Sequence, residues 1–122
     1  MIGIGIDAVE LDRFRKALVR QPKLADRLFT ADELAYGRAA ADATARLAAR
    51  FAVKEATMKA LGVGLGAFSF HDVAVTRDEA SGAPALDVTG AAAALAEQRG
   101  VRDWRVSITH TDHTAHAVVV AL

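Results

Sequence analysis

Ala43-Thr-Ala-Arg-Leu-Ala-Ala-Arg50-Phe-Ala-Val-Lys-Glu55-Ala-Thr-Met-Lys59-Ala-Leu61 contains neither Gly nor Pro and is dominated by alanine. Alanine is the strongest helix former, so the stretch predicts one long helix over 43–61, ended by Gly62-Val-Gly-Leu-Gly66. At about 100° per residue, Leu47, Phe51 and Met58 fall on one apolar stripe. Ala49, Ala52, Val53, Ala56 and Ala60 make the remaining surface apolar too, and a helix apolar on two opposed sides is packed on both. Arg46, Arg50 and Lys54 lie four apart on one flank, and Glu55 and Lys59 four apart on the other. The charged lines of such a helix are expected at the edges of clefts.

Upstream, Ile2, Ile4 and Ile6 alternate with Gly3 and Gly5 and the run stops at Asp7, which predicts a strand. Its glycines leave one face bare, so another backbone or a ligand can approach closely there. Leu11, Phe14 and Leu18 form a helical apolar stripe, with Arg13, Lys16 and Arg20 at the same spacing on another face. That helix is expected to end near Gln21-Pro22. Thr30-Ala-Asp-Glu33 has the form of a capping box and starts a second helix. Downstream, strands are expected at His71–Thr76 and Ala85–Val88, joined by a turn at Ser81-Gly82. A short helix follows over Ala91–Arg99, then a strand carrying Trp104, Val106 and Ile108. Ala117–Leu122 closes the chain as an apolar strand, with His110–Thr114 as the link. This order gives an α+β fold, a largely antiparallel sheet packed against the long central helix, as a single domain over 1–122.

The chain has 122 residues, 52% of them hydrophobic and 25% charged, which excludes a disordered tail. Aromatics are only 6%, so the core is built from small side chains and leans toward oligomerisation. Cysteine is absent, which removes disulfides, thiolate metal sites and thiol nucleophiles. Fifteen basic and fifteen acidic residues cancel, and that argues against a nucleic-acid binder, which needs a net basic field. No apolar run is long enough for a membrane span, and the first residues lack the basic region of a secretory signal. A cytoplasmic protein is expected.

Glu55 and Lys59 at this spacing ordinarily make an ion pair worth about 0.2–0.5 kcal/mol. The sharper alternative is a carboxylate metal ligand beside a phosphate-binding lysine, with Asp7 as a second hard oxygen ligand. Two carboxylates and several cationic groups are what Mg²⁺ with a polyphosphate requires. The Gly62–Gly66 loop lacks a Walker ending and follows a helix, so helix termination explains it best. His110, His113 and His116 are spaced by three, but across a strand, turn and strand they do not converge on a zinc ion. His71 has no evident partner and is read as structural.

Together, Asp7 in Gly3-Ile-Gly-Ile-Asp7-Ala-Val-Glu10, the run Arg50-Phe-Ala-Val-Lys54-Glu55-Ala-Thr-Met-Lys59-Ala-Leu-Gly62, and Ser107-Ile-Thr-His110-Thr111 resemble the holo-(acyl-carrier-protein) synthases. These are the small bacterial branch of the 4′-phosphopantetheinyl transferases. The resemblance covers essentially the whole chain. It implies a homotrimer with its active site between neighbouring subunits. It also implies transfer of the phosphopantetheine arm of coenzyme A to a serine of apo acyl carrier protein, in support of fatty acid biosynthesis. By position, Asp7 and Glu55 become the Mg²⁺ ligands. Glu55, Lys59 and His110 become the catalytic groups. Arg50, Lys59, Gly62, Gly64 and His110 contact coenzyme A, and Arg13, Lys16 and Arg20 meet the acidic helix of the carrier protein. The base for the serine stays open among Glu55, a metal-bound water and His110.

Three positions depart from the family pattern: Val63 where Thr is common, Thr114 where an aromatic is frequent, and Val9 where larger relatives carry a third acid. None removes a group that the reaction requires. Two other functions use the same residues. One is a Mg²⁺-dependent hydrolase of a nucleotide or coenzyme A pyrophosphate. The other is a non-catalytic oligomeric module in which Asp7, Glu55 and Lys59 are structural.

Overall fold

The expected long helix is present as α4, Ala43–Ala60, in a computed structural model that describes all 122 residues. Asp42 accepts from the Thr44 amide at its start. At its end, the Val63 amide bonds the Met58 carbonyl and the Gly62 amide bonds that of Lys59, both at 3.0 Å. That closure needs a left-handed residue, and Gly62 supplies it with φ of 70°. Gly62 therefore ends the helix, as its sequence context indicates.

Before α4 come β1 (Gly3–Glu10), α1 (Leu11–Arg20), α2 (Leu24–Leu28) and α3 (Ala31–Arg38). After it come a 3₁₀ turn (Phe70–Asp72), β2 (Val73–Arg77), β3 (Pro84–Val88), α5 (Gly90–Gln98), β4 (Trp104–His110) and β5 (Thr114–Ala121). All strand pairing is antiparallel, in a three-stranded sheet ordered β1-β5-β4 and a separate β2-β3 pair. The capping box forms as expected, with Thr30 and Glu33 each bonding the other's backbone amide.

Packing of α4 on β1 and β5 follows from residue size. A Cβ placed on Gly3 or Gly5 would stand 1.9 or 1.8 Å from the carbonyl oxygen of Ala60 or Ala56. The bare face of β1 thus receives the helix backbone itself, against the alanine side of α4. Val9, Ala115, Ala117, Val119 and Ala121 complete that core. The opposite side of α4 contributes Met58 to a second cluster with Leu61, Phe68, Val73, Ala92 and Ala96. A helix packed on two sides is what its composition implies.

Several boundaries differ from expectation. β1 does not stop at Asp7 but continues to Glu10, because Val9 still faces inward and pairs with Ala115. Residues 71 and 72 belong to the 3₁₀ turn and not to β2. The closing hairpin is tighter than expected: β4 reaches His110 and β5 starts at Thr114. The five-residue α2 was not foreseen.

Candidate active site

Strand alternation aims Asp7 the same way as Gly3 and Gly5, toward α4. Glu55 and Lys59 stand on consecutive turns of α4. Lys59 Nζ donates to Asp7 Oδ1 at 3.1 Å and to the Ile6 carbonyl at 2.9 Å. The ion pair of Lys59 is therefore with Asp7 across the sheet–helix junction and not with Glu55. Burial pushes the Glu55 carboxyl above the usual carboxylate range, the charge of Asp7 pushes the same way, and Lys59 opposes both.

Asp7 and Glu55 stand in the wall of a cleft of about 670 Å³ that opens between α1, α2 and the segment after α4. Its polar lining also includes Glu10, Arg13, Arg27 and Ser69; its apolar lining includes Phe14, Leu24, Leu28, Phe51 and Phe70. The aromatic rings stack in series, Phe14 on Phe51 at 5.5 Å and Phe51 on Phe70 at 5.9 Å between centroids. Of the glycine loop, Leu65 and Gly66 line the cleft, whereas Gly62 and Gly64 do not. Phe68, Ser69 and Phe70 supply a wall that residue-by-residue chemistry did not single out, since apolar side chains carry no catalytic signature.

Of the basic line of α4, Arg46 borders a groove, but Arg50 and Lys54 are buried and do not sit at a cleft edge. Lys54 is fully buried, with Nζ bonded to Glu33 Oε1 and to the carbonyl oxygens of Phe70 and Val73. Burial lowers its ammonium pKa, against the opposing pull of Glu33. A wheel drawn on α4 alone cannot show this, because the partner carboxylate comes from α3. Arg50 is also buried, and its guanidinium lies 4.2 Å from the ring centre of Tyr36. Arg46 stacks on that ring at 4.2 Å, and Arg77 donates to the Tyr36 hydroxyl at 2.8 Å. None of these three arginines has a carboxylate partner, and Arg50 Nε has no hydrogen-bond acceptor. Desolvation accordingly lowers the pKa of Arg50.

His110 ends β4 and lies in a shallow groove with Arg46 and Ala45, at the N-terminal half of α4. Asp7, Glu55 and Lys59 occupy the C-terminal half. Within one chain, neither His110 nor Arg50 lines the acidic cleft. On α1, Arg13, Lys16 and Arg20 are all exposed, and Lys16 pairs with Asp12 at 3.0 Å. His71 bonds the Asp26 carbonyl at 2.6 Å through Nε2, which ties α2 to the 3₁₀ turn as a structural link.

The family model for the 4′-phosphopantetheinyl transferase superfamily matches residues 3–119. Holo-[acyl-carrier-protein] synthase of Streptomyces avermitilis is 50% identical over 121 residues, covering 99% of this chain and 97% of the relative. Among solved structures, the holo-[acyl-carrier-protein] synthase of Neisseria meningitidis superposes with a TM-score of 0.90 at 33% identity, covering 100% of this chain and 98% of that one. The Helicobacter pylori synthase in complex with coenzyme A superposes with a TM-score of 0.84 at 30% identity, covering 98% and 99%.

Proposed function

The chain belongs to the holo-(acyl-carrier-protein) synthase branch of the 4′-phosphopantetheinyl transferase superfamily, and from that premise we propose how its own residues work. It moves the 4′-phosphopantetheine arm of coenzyme A to a serine hydroxyl of apo acyl carrier protein and releases adenosine 3′,5′-bisphosphate. The observation that carries this is the cleft, lined by Asp7 and Glu55 together with Phe14, Phe51 and Phe70, with Lys59 bonded to Asp7 beside it. The diphosphate suits a cation held by the carboxylates, and the methyl and methylene groups of the attached arm suit the aromatic lining.

Asp7 and Glu55 fit a hard divalent cation. Burial first and the charge of Asp7 second raise the Glu55 carboxyl, and two carboxylates plus substrate phosphates suffice for Mg²⁺. When bound there, Mg²⁺ offsets charge on the diphosphate and on the departing bisphosphate. Lys59 is half-exposed and reaches the same place, so it can turn from Asp7 to a phosphate oxygen. The serine proton goes to a nearby acceptor, Glu55 or His110.

Arg50 and His110 act from a neighbouring copy in a homotrimer. Two features support this. The two halves of the residue set lie apart within one chain. On the outer face of the three-stranded sheet the β1–β5 part is apolar: Ile2, Ile4 and Ile6 are 45, 57 and 65% exposed, and Val120 and Val118 pair with Ile4 and Ile6, while β4 presents Arg105, Ser107 and Thr109 beside them. No helix is long and apolar enough to cross a membrane, consistent with work in the cytoplasm on fatty-acid carriers. Mass spectrometry of an apo carrier protein after incubation with this protein, coenzyme A and Mg²⁺ tests the function. A carrier heavier by one phosphopantetheine is expected. Coenzyme A cleaved with no carrier present, and a carrier of unchanged mass, would make it a hydrolase.

A further inference from the structure

Lys54 shares a motif with Glu55 and Lys59, yet it cannot touch any ligand. An ammonium has three N–H donors. All three are taken, by Glu33 Oε1 at 2.8 Å, by the Phe70 carbonyl at 2.8 Å and by the Val73 carbonyl. Its side chain has 0% exposure and that of Glu33 2%. Glu33 is equally committed: Oε1 also accepts from the Thr30 amide at 3.0 Å, and Oε2 accepts from the Val75 amide at 3.3 Å. One buried pair thus joins α3, α4, the 3₁₀ turn and β2. The backbone it grips at residue 70 is the same segment, 68–70, that forms a wall of the acidic cleft. The residue after Lys54 is Glu55, which lines the same cleft.

We propose that Lys54 is a positioning residue, which sets the distance between the 68–70 wall and the carboxylate pair and thereby shapes the channel for the pantetheine arm. The proposal rests on the transferase reading above. Its logic is geometric: segment 62–72 follows α4 without regular structure until the 3₁₀ turn. Lys54 holds both the start of that turn, through Phe70, and the first residue of β2, through Val73. Removing the amine frees the wall while leaving Asp7, Glu55 and Lys59 in place.

The test compares two ligands by titration calorimetry. Coenzyme A carries the arm, and adenosine 3′,5′-bisphosphate lacks it. The double variant Glu33→Gln with Lys54→Met removes both buried charges together, so that neither is stranded. The expected result is a folded protein whose coenzyme A affinity falls roughly 10–100-fold, the range for lost outer-shell support, with bisphosphate affinity unchanged. Equal affinity ratios in variant and wild type would overturn the proposal. A second route covers a variant that fails to fold. The chain has no cysteine, so Lys54→Cys provides a single thiol. Alkylation of the unfolded chain with 2-bromoethylamine, then refolding, restores an amine; 1-bromopropane gives the same shape without it. The amine form should recover the wild-type affinity ratio and the propyl form should not. If only the amine form folds, Lys54 serves stability alone and the proposal fails. Failure of the wild type itself to bind coenzyme A would instead count against the transferase reading.

Discussion

Glu55 combines two costs: a half-buried carboxylate and a like charge on Asp7. Both raise its pKa above the usual 4.5, so the folded chain holds the proton more tightly than the unfolded one. Stability from this group is complete below the unfolded pKa and is lost as pH rises through the higher folded value. In metal-free buffer, wild type should therefore lose thermal stability from acid to neutral pH, and Glu55→Gln should lose less. At neutral pH, Glu55→Gln should melt above wild type while transferring almost nothing, and Asp7→Asn should likewise stay folded with most transfer lost. Thermal melts and a carrier-loading assay at limiting Mg²⁺ check both; near-normal turnover in either variant would remove that residue from the ligand set. Lys54 behaves oppositely. Lys54→Met alone strands the buried Glu33 charge and should cost about 3–5 kcal/mol in denaturant unfolding, most of it returned by adding Glu33→Gln.

At the scale of elements, the contact between β1 and α4 places Asp7 beside Glu55, and it depends on absent side chains. Gly5→Ala puts a methyl group into the Ala56 carbonyl, so the strand must lift from the helix. Overpacking of this kind should cost roughly 1–3 kcal/mol in urea unfolding and should weaken transfer further, because Asp7 moves with the strand. Wild-type stability in Gly5→Ala would show that the two elements are free to part. Periodicity made this contact readable: the glycine–isoleucine alternation and the two-sided alanine helix each announce a partner. Capping chemistry placed α3, since Thr30 and Glu33 are three residues apart and act locally. What periodicity could not give was anything set by sequence-distant pairing. Lys54 reads as a cleft-edge charge because Glu33, its partner, lies twenty-one residues away. Lys59 looked like the partner of Glu55 because Asp7 lies fifty-two residues away. The helix α2, at five residues, is too short to show a period of its own.

For the whole molecule, the proposed homotrimer accounts for both the separation of Arg50 and His110 from the acidic cleft and the bare isoleucine face. Ile6→Asp puts a charge on that face without touching the core, since Ile6 is 65% exposed. It should leave a folded monomer by sedimentation equilibrium and abolish transfer; a fully active monomer would sink the shared-site assembly. The carrier must then approach from the side that stays open. On α1, Lys16 is engaged with Asp12, while Arg13 and Arg20 have no carboxylate partner, and Arg13 also lines the cleft mouth. In a chain of zero net charge, two free guanidiniums on one exposed helix beside the cleft are suited to an acidic helix. Contacts of this kind at an interface rim act mainly through association rate and are screened by salt. Arg13→Glu with Arg20→Glu should therefore lower kcat/KM for the carrier sharply and leave coenzyme A affinity close to wild type. Raising salt should slow the wild type and leave the variant nearly flat. Equal kcat/KM for the two proteins at low ionic strength would show that the carrier is read by another face.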